Sequence, residues 1–319
     1  MTELKLAVDI GGLTLKNPIM PASGAFGPEM DKIIDFNQLG ALVPKSITIE
    51  ARPGNATPRV CETTAGMINS IGIQSKGIEY YMEHYVPYYA QFDTPLIASL
   101  SAGSVDEFAE LADILAADSR IDALELNISC PNLKGNGLAF GMDADLTYKL
   151  VQKVRAVTDK PIISKLTPNV TSIQEIAKAA EAGGSNSLNV ANTLLAMAID
   201  VETRKPKIGN VMGGLSGPAV KPIIVRLIYQ VAQAVNIPII GCGGVATAED
   251  AIEMILAGAS AVQVGTASFI QPTAMIDILR DVKAYMERHH IPDIQELIGQ
   301  VHIQKEIKEV ELNEMGLSY

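Results

Sequence analysis

Eight short apolar runs, separated by longer amphipathic stretches, constrain this chain more than any other feature. The runs fall at Pro18–Pro21, Ala41–Lys45, Pro95–Leu100, Ala123–Asn127, Pro161–Leu166, Ser187–Asn192, Pro238–Cys242 and Ala261–Val264. Their length and β-branched content predict buried strands. Between them Val105–Ala117, Ala144–Val157, Ile173–Ala182, Pro222–Val235 and Ala248–Ala257 carry helical periodicity. Lys160-Pro-Ile-Ile-Ser-Lys165 and Asn236-Ile-Pro-Ile-Ile-Gly241 repeat one arrangement: a helix end, a proline, then a strand. Strand–helix alternation sends every strand the same way, so the pairing is parallel, and eight parallel strands close a barrel. The expected fold is α/β, a single (β/α)8 TIM barrel over residues 1–319 with long loops at the C-terminal face of the strands. A doubly wound open sheet is the rival, but it usually has about five to seven strands.

Three Gly-rich or polar loops interrupt the repeat: Glu50–Lys76, Asn132–Asp143 and Met197–Pro218. Each follows a predicted strand, so all three emerge on one face, and loops this long in a compact domain are usually functional. Alternation over Val201–Ile208 predicts a small hairpin. The last ~25 residues, with Lys305-Glu-Ile-Lys-Glu-Val-Glu311, read as a charged helix or mobile tail.

A 48% hydrophobic, 19% charged composition supplies a large core. The net charge of −11 argues against nucleic acid and anionic membranes, which need a basic surface. No apolar run approaches the roughly 20 residues of a membrane span, and Met1-Thr-Glu-Leu-Lys5 is unlike a signal peptide. Cys61, Cys130 and Cys242 are odd in number and far apart, as free thiols of the reducing cytosol are, so a cytoplasmic location is expected. They are too few for an iron–sulfur cluster, which usually takes four. His84, His289, His290 and His302 form no metal-binding pattern, and no metal is expected.

The chemistry gathers at strand ends. Ala123-Leu-Glu-Leu-Asn-Ile-Ser-Cys-Pro-Asn132 runs from a buried strand into Asn127, Ser129, Cys130 and Asn132, with Pro131 stopping the strand. Cys130 stands where a thiol could transfer a proton or attack a substrate, although a lone cysteine more often reads as a structural one beside an Asn–Pro turn. Ile240-Gly-Cys-Gly-Gly-Val245 and Val262-Gln-Val-Gly-Thr-Ala267 end the last two strands in glycines before helices. Barrels often hold phosphate with these two loops. Lys45 and Lys165 each close an apolar strand, a costly place for a cation without an anionic ligand. Asn69, Asn127, Asn132 and Asn192, with Thr193, bring uncharged donors and acceptors to the same face.

Together these residues resemble the class 1 dihydroorotate dehydrogenases. The resemblance runs from Asn17-Pro-Ile-Met-Pro-Ala-Ser-Gly24 through Pro44-Lys-Ser46, Arg52-Pro-Gly-Asn-Ala-Thr-Pro-Arg59, Gly66-Met-Ile-Asn-Ser-Ile-Gly-Ile73, Asn127-Ile-Ser-Cys-Pro-Asn132, Ala191-Asn-Thr193, Gly213-Gly-Leu-Ser-Gly217 and Gly241-Cys-Gly-Gly244 to Gln263-Val-Gly-Thr266. Met67-Ile-Asn-Ser-Ile-Gly72 and Ala139-Phe-Gly-Met-Asp143 look most like the 1B, NAD-linked branch. The family usually has Asn-Pro-Gly or Asn-Leu-Gly where this chain reads Ser75-Lys-Gly77.

The resemblance implies FMN-dependent oxidation of (S)-dihydroorotate to orotate in pyrimidine biosynthesis. By it, Ser23, Lys45, Ser46, Asn127, Lys165, Ala191, Gly217, Gly243, Gly244, Gly265 and Thr266 bind FMN. Lys45, Asn69, Ile71, Gly72, Ile73, Asn127, Asn132, Asn192 and Thr193 bind substrate, and Cys130 is the catalytic base. It further implies a homodimer core joined by an iron–sulfur electron-transfer subunit, which carries FAD and a 2Fe-2S cluster and passes electrons to NAD+. The neighbouring readings are a class 1A homodimer that reduces fumarate, an FMN barrel reductase of another pyrimidine, an aldolase using Lys165 as a Schiff base, and a non-catalytic scaffold.

Overall fold

The computed structural model describes residues 4–129 and 139–302. Seven of the predicted runs are strands of one parallel sheet: β1 (Ile19–Pro21), β2 (Ile97–Leu100), β3 (Ala123–Asn127), β4 (Ile162–Lys165), β5 (Ser187–Val190), β6 (Ile239–Cys242) and β7 (Ala261–Val264). Their order is β1-β7-β6-β5-β4-β3-β2, each strand hydrogen-bonded to its neighbour. The strands are almost wholly buried, as expected of a sheet that faces helices outside and a packed core inside.

The eighth stave is the run predicted at Ala41–Lys45, and here the structure departs from a regular strand. It closes the gap between β1 and β2 by isolated parallel bridges, Leu42 to Leu96 and Ile47 to Leu100. Gly40 N donates to Ile19 O at 2.8 Å on the β1 side. Leu42 N donates to Pro95 O and Ile47 N to Ser99 O, both at 2.8 Å, on the β2 side. Pro44 lies between the two bridges and has no N–H for the ladder, which accounts for the interruption. With this stave the sheet closes into a (β/α)8 barrel.

Helices α1 (Val105–Ala116), α2 (Ala144–Arg155), α3 (Ile173–Gly183), α4 (Lys221–Ala232), α5 (Ala248–Ala257) and α6 (Ala274–Arg288) cover the sheet. Four start on side-chain caps that the sequence supplies: Ser104, Asp143, Ser172 and Thr247 accept from Glu107 N, Leu146 N, Glu175 N and Asp250 N. Such caps satisfy backbone donors that the first turn leaves unpaired.

Two of the three insertions build a second layer that the sequence did not announce. Val60–Thr63 pairs antiparallel with Gly66–Asn69, which pairs with Gly213–Ser216, which pairs with Leu194–Ala196. The small hairpin is present, but its paired residues are Ile199–Asp200 and Lys205–Pro206. Residues 201–204 are therefore its turn rather than its strand. Of the third insertion, Phe140–Met142 forms a 3-10 turn ahead of α2; Cys130, Asn132 and their neighbours to 138 lie outside the described residues. At the C-terminus Ile294–Leu297 docks as another 3-10 turn, and the Lys305 run lies outside the described residues. Among the described residues no helix is long and apolar enough to cross a membrane, and no cluster of His, Cys, Asp or Glu could hold a metal.

Candidate active site

The carboxyl ends of the strands open onto two adjoining hollows of about 910 and 1540 Å³. Ser23, Lys45, Asn69, Ile71, Lys165, Asn192 and Thr193 line both, so the hollows share a wall.

The inner hollow has a glycine end and a lysine end. At the glycine end lie Gly243 and Gly244 after β6, and Gly265 and Thr266 after β7. Gly244 has φ +86°, and a Cβ there would stand 2.7 Å from the Lys221 backbone nitrogen. Only glycine gives this turn its path, and the path brings backbone close to whatever fills the hollow. Asp250 fixes the turn from behind: its carboxylate accepts from Ala246 N and Thr247 N, both at 2.9 Å, and from Lys221 Nζ at 2.7 Å. Thr266 donates to Ser216 at 2.8 Å, tying the β7 loop to the second layer. Gly217 itself does not reach the wall. Its neighbours Ser216 and Val220 do, and Gly217, with φ +101°, instead lets the chain cross close over Gly66.

At the lysine end are Ser23, Lys45, Ala191, Lys165 and Cys242. Ser23, Ser46 and Ser99 form a hydroxyl chain with spacings of 3.0 and 2.9 Å; Ser46 itself faces the outer hollow. Lys165 is only 5% exposed. Burial works against its charge, but neighbouring Cys242 and Glu125 outweigh that and hold its amine above the ordinary lysine range. Burial likewise pushes the Cys242 thiol up. Cys242, read from the sequence only as one of three free thiols, lies in the wall of this hollow.

The outer hollow gathers the amides. Asn192 Nδ2 donates to Asn127 Oδ1 and to Ser129 Oγ, each at 3.1 Å, while its Oδ1 accepts from Thr193 N at 2.8 Å. Asn69, Ile71, Gly72 and Ile73 face them from the first insertion. That loop is held by Arg59, whose Nη1 donates to Gln74 Oε1 at 2.9 Å, and by Asn55, which donates to Ser70 Oγ at 2.8 Å. Ser75 Oγ accepts from Gly77 N at 3.1 Å, anchoring the end of the loop. Thus every described substrate residue expected from the sequence is on one hollow. Asn169 was not foreseen: it lines the outer hollow and donates to Thr193 O at 3.1 Å. Its only signal is a place three residues past the end of the Pro161–Leu166 run.

The geometry suits an elongated ligand with an anionic group at the glycine end and a planar ring against Lys165. A second planar, hydrogen-bonding molecule fits beside it among the amides. A family profile described as "Dihydroorotate dehydrogenase" matches residues 5–286. A protein of Alkaliphilus metalliredigens named "Dihydroorotate dehydrogenase B (NAD(+)), catalytic subunit" is 48% identical over 301 residues, covering 94% of this chain and 99% of its own. One of the same name from Desulforamulus reducens is 50% identical over 303 residues, covering 94% and 100%.

Proposed function

The chain belongs to the dihydroorotate dehydrogenase family, and from that premise we propose that it oxidises (S)-dihydroorotate to orotate with FMN in the inner hollow and substrate in the outer one. The observation that carries this reading is the shared wall: a ligand in one hollow would lie directly against a ligand in the other. FMN, when bound, supplies the hydride acceptor. Gly243, Gly244, Gly265 and Thr266 would hold its phosphate on backbone donors, and Lys165 would face its ring as the cation that favours added negative charge. Lys45 and the amides Asn69, Asn127, Asn192 and Thr193 would fix the carboxylate and ring of dihydroorotate. Asn192 is itself held by Asn127 and Ser129, so it is oriented before substrate arrives.

Cys130 is the proposed base for the C5 proton. It follows Ser129, which lines the outer hollow. A free thiol ionises near pH 8.5, so turnover is expected to rise toward mildly alkaline pH. Asn132 is proposed as a further substrate ligand from the same loop. In Cys130→Ala, FMN should remain bound with an unaltered absorption spectrum while its reduction by dihydroorotate slows roughly 10²- to 10⁴-fold, the usual worth of a general base. Stopped-flow absorbance reads both, and wild-type reduction by the variant would remove Cys130 from the mechanism.

The relatives are named catalytic subunits of an NAD+-linked enzyme. We propose that this chain is likewise a catalytic subunit, and that it forms a homodimer core joined by a partner that carries FAD and a 2Fe-2S cluster, in the cytoplasm. Exposed apolar side chains on the second layer, among them Leu195, Ile199 and Val201, offer surface for protein contacts.

A further inference from the structure

Below the lysine end of the inner hollow the barrel core is polar, where barrels are ordinarily filled with branched apolar side chains. Glu125 of β3, Asn189 of β5 and Gln263 of β7 are fully buried. They come from alternate staves and so lie in one layer of the core. Glu125 Oε2 accepts from Asn189 Nδ2 at 2.8 Å and from Gln263 Nε2 at 2.7 Å. Gln263 Oε1 accepts from Asn189 Nδ2 at 2.7 Å and from Lys165 Nζ at 3.0 Å. The other carboxylate oxygen, Glu125 Oε1, has no hydrogen bond; its nearest cation is Lys165 Nζ at 3.8 Å.

This layer is an odd place for a carboxylate. A buried charge is tolerated when it is paired and its remaining atoms are hydrogen-bonded. Here Lys165 supplies the pairing charge and two amides bond one carboxylate oxygen, Oε2, while Oε1 faces only the Lys165 ammonium. Lys165 gains in return. Its ammonium sits in the wall of both hollows, in surroundings that would otherwise strip its proton. The Cys242 thiol beside it is pushed up by burial, and the carboxylate nearest the ammonium is that of Glu125, 3.8 Å away.

We propose that Glu125 is a positioning residue: framed by Asn189 and Gln263, it keeps Lys165 charged and presented to the inner hollow, and so sets how readily a flavin bound there accepts electrons. The first half of this statement concerns the chain alone; the second rests on the FMN reading. Glu125→Gln keeps the shape of the side chain and removes its charge.

The titration of the Lys165 amine can be followed by NMR of the full chain labelled with ¹⁵N-lysine, with and without FMN, the signal being assigned by its loss in Lys165→Met. In the FMN-free chain, Glu125→Gln should lower the proton affinity of Lys165 by about 10³- to 10⁵-fold, the scale of a fully buried lysine without its anion, so that the amine loses its charge toward neutral pH; an unchanged titration overturns the proposal. With FMN bound, the flavin of Glu125→Gln should have a lower reduction potential than the wild type. An equal or higher potential overturns the second half. If the wild-type chain bound no flavin, the FMN reading would fail while the titration result stood. Should Glu125→Gln not fold, Glu125→Gln/Lys165→Met removes both charges together and should fold; its failure would make Glu125 a packing residue and end the proposal.

Discussion

Gly244 shows how much a single residue carries here. A side chain at this position meets the start of α4 at 2.7 Å, and its φ of +86° strains any L-residue by about 1–2 kcal/mol. Gly244→Ala should therefore shift the β6 turn and weaken FMN binding tenfold or more, read by titration of flavin fluorescence. Unchanged affinity would show that this turn does not hold the phosphate. Gly244 was legible because paired glycines between a strand and a helix have few other uses. Glu125, Asn189 and Gln263 were not. Each is one polar residue inside an apolar run, and Glu125 finds its partners 64 and 138 residues away. No local pattern records such a pairing. Lys165 was read correctly as needing an anion nearby, but Glu125, which supplies it beneath, went unseen.

Among the elements, α5 has the most to do with the site, because its first turn braces the glycine loop. Asp250 closes a capping box with Thr247 and bonds Lys221 of α4. Burial works against its charge, but Lys221 and the Ala246 and Thr247 amides outweigh that and hold its carboxyl below the usual range. A carboxyl depressed in the folded state contributes stability above its unfolded pKa of about 3.9 and loses it as pH falls through the folded value. Asp250→Asn should thus cost roughly 1–2 kcal/mol near pH 7 and progressively less below about pH 4. Denaturant melts across that range check the slope; a pH-independent cost would mean that the charge is not what matters. Seven strands of the barrel and five of its six long helices were readable from hydrophobic period alone. The second layer was not. Gly213 and Gly214 have no strand propensity, and glycine is needed at 214 because a Cβ would stand 1.9 Å from Thr193 Oγ1. Close packing against a loop wrote that strand.

At the scale of the molecule, the count of eight staves determined the fold, and the ends of the staves determined where chemistry would gather. Cys130 and Asn132, the two expected site residues that lie outside the described residues, rest on sequence and family alone. The chain has three cysteines and no GxGxxG sequence, and the proposed partner would supply the dinucleotide site. With dihydroorotate, the purified chain should reduce its flavin and pass electrons to an artificial dye, yet leave NAD+ unreduced until an iron–sulfur partner is added. NAD+ reduction by the chain alone would contradict the proposed partner, and brisk fumarate reduction would move it to the other branch.

The interrupted stave around Pro44 has one more consequence. It joins β2 through isolated bridges at Leu42 and Ile47, and between them Lys45 and Ser46 stand on the wall of the ligand hollows. A ligand gripping those residues spans the joint and ties the neighbouring staves across it. Ligand affinity and barrel cohesion are then two readings of one free energy, since whatever binds only the closed form stabilises it by mass action. The enzyme's site would serve as the clasp of its own fold.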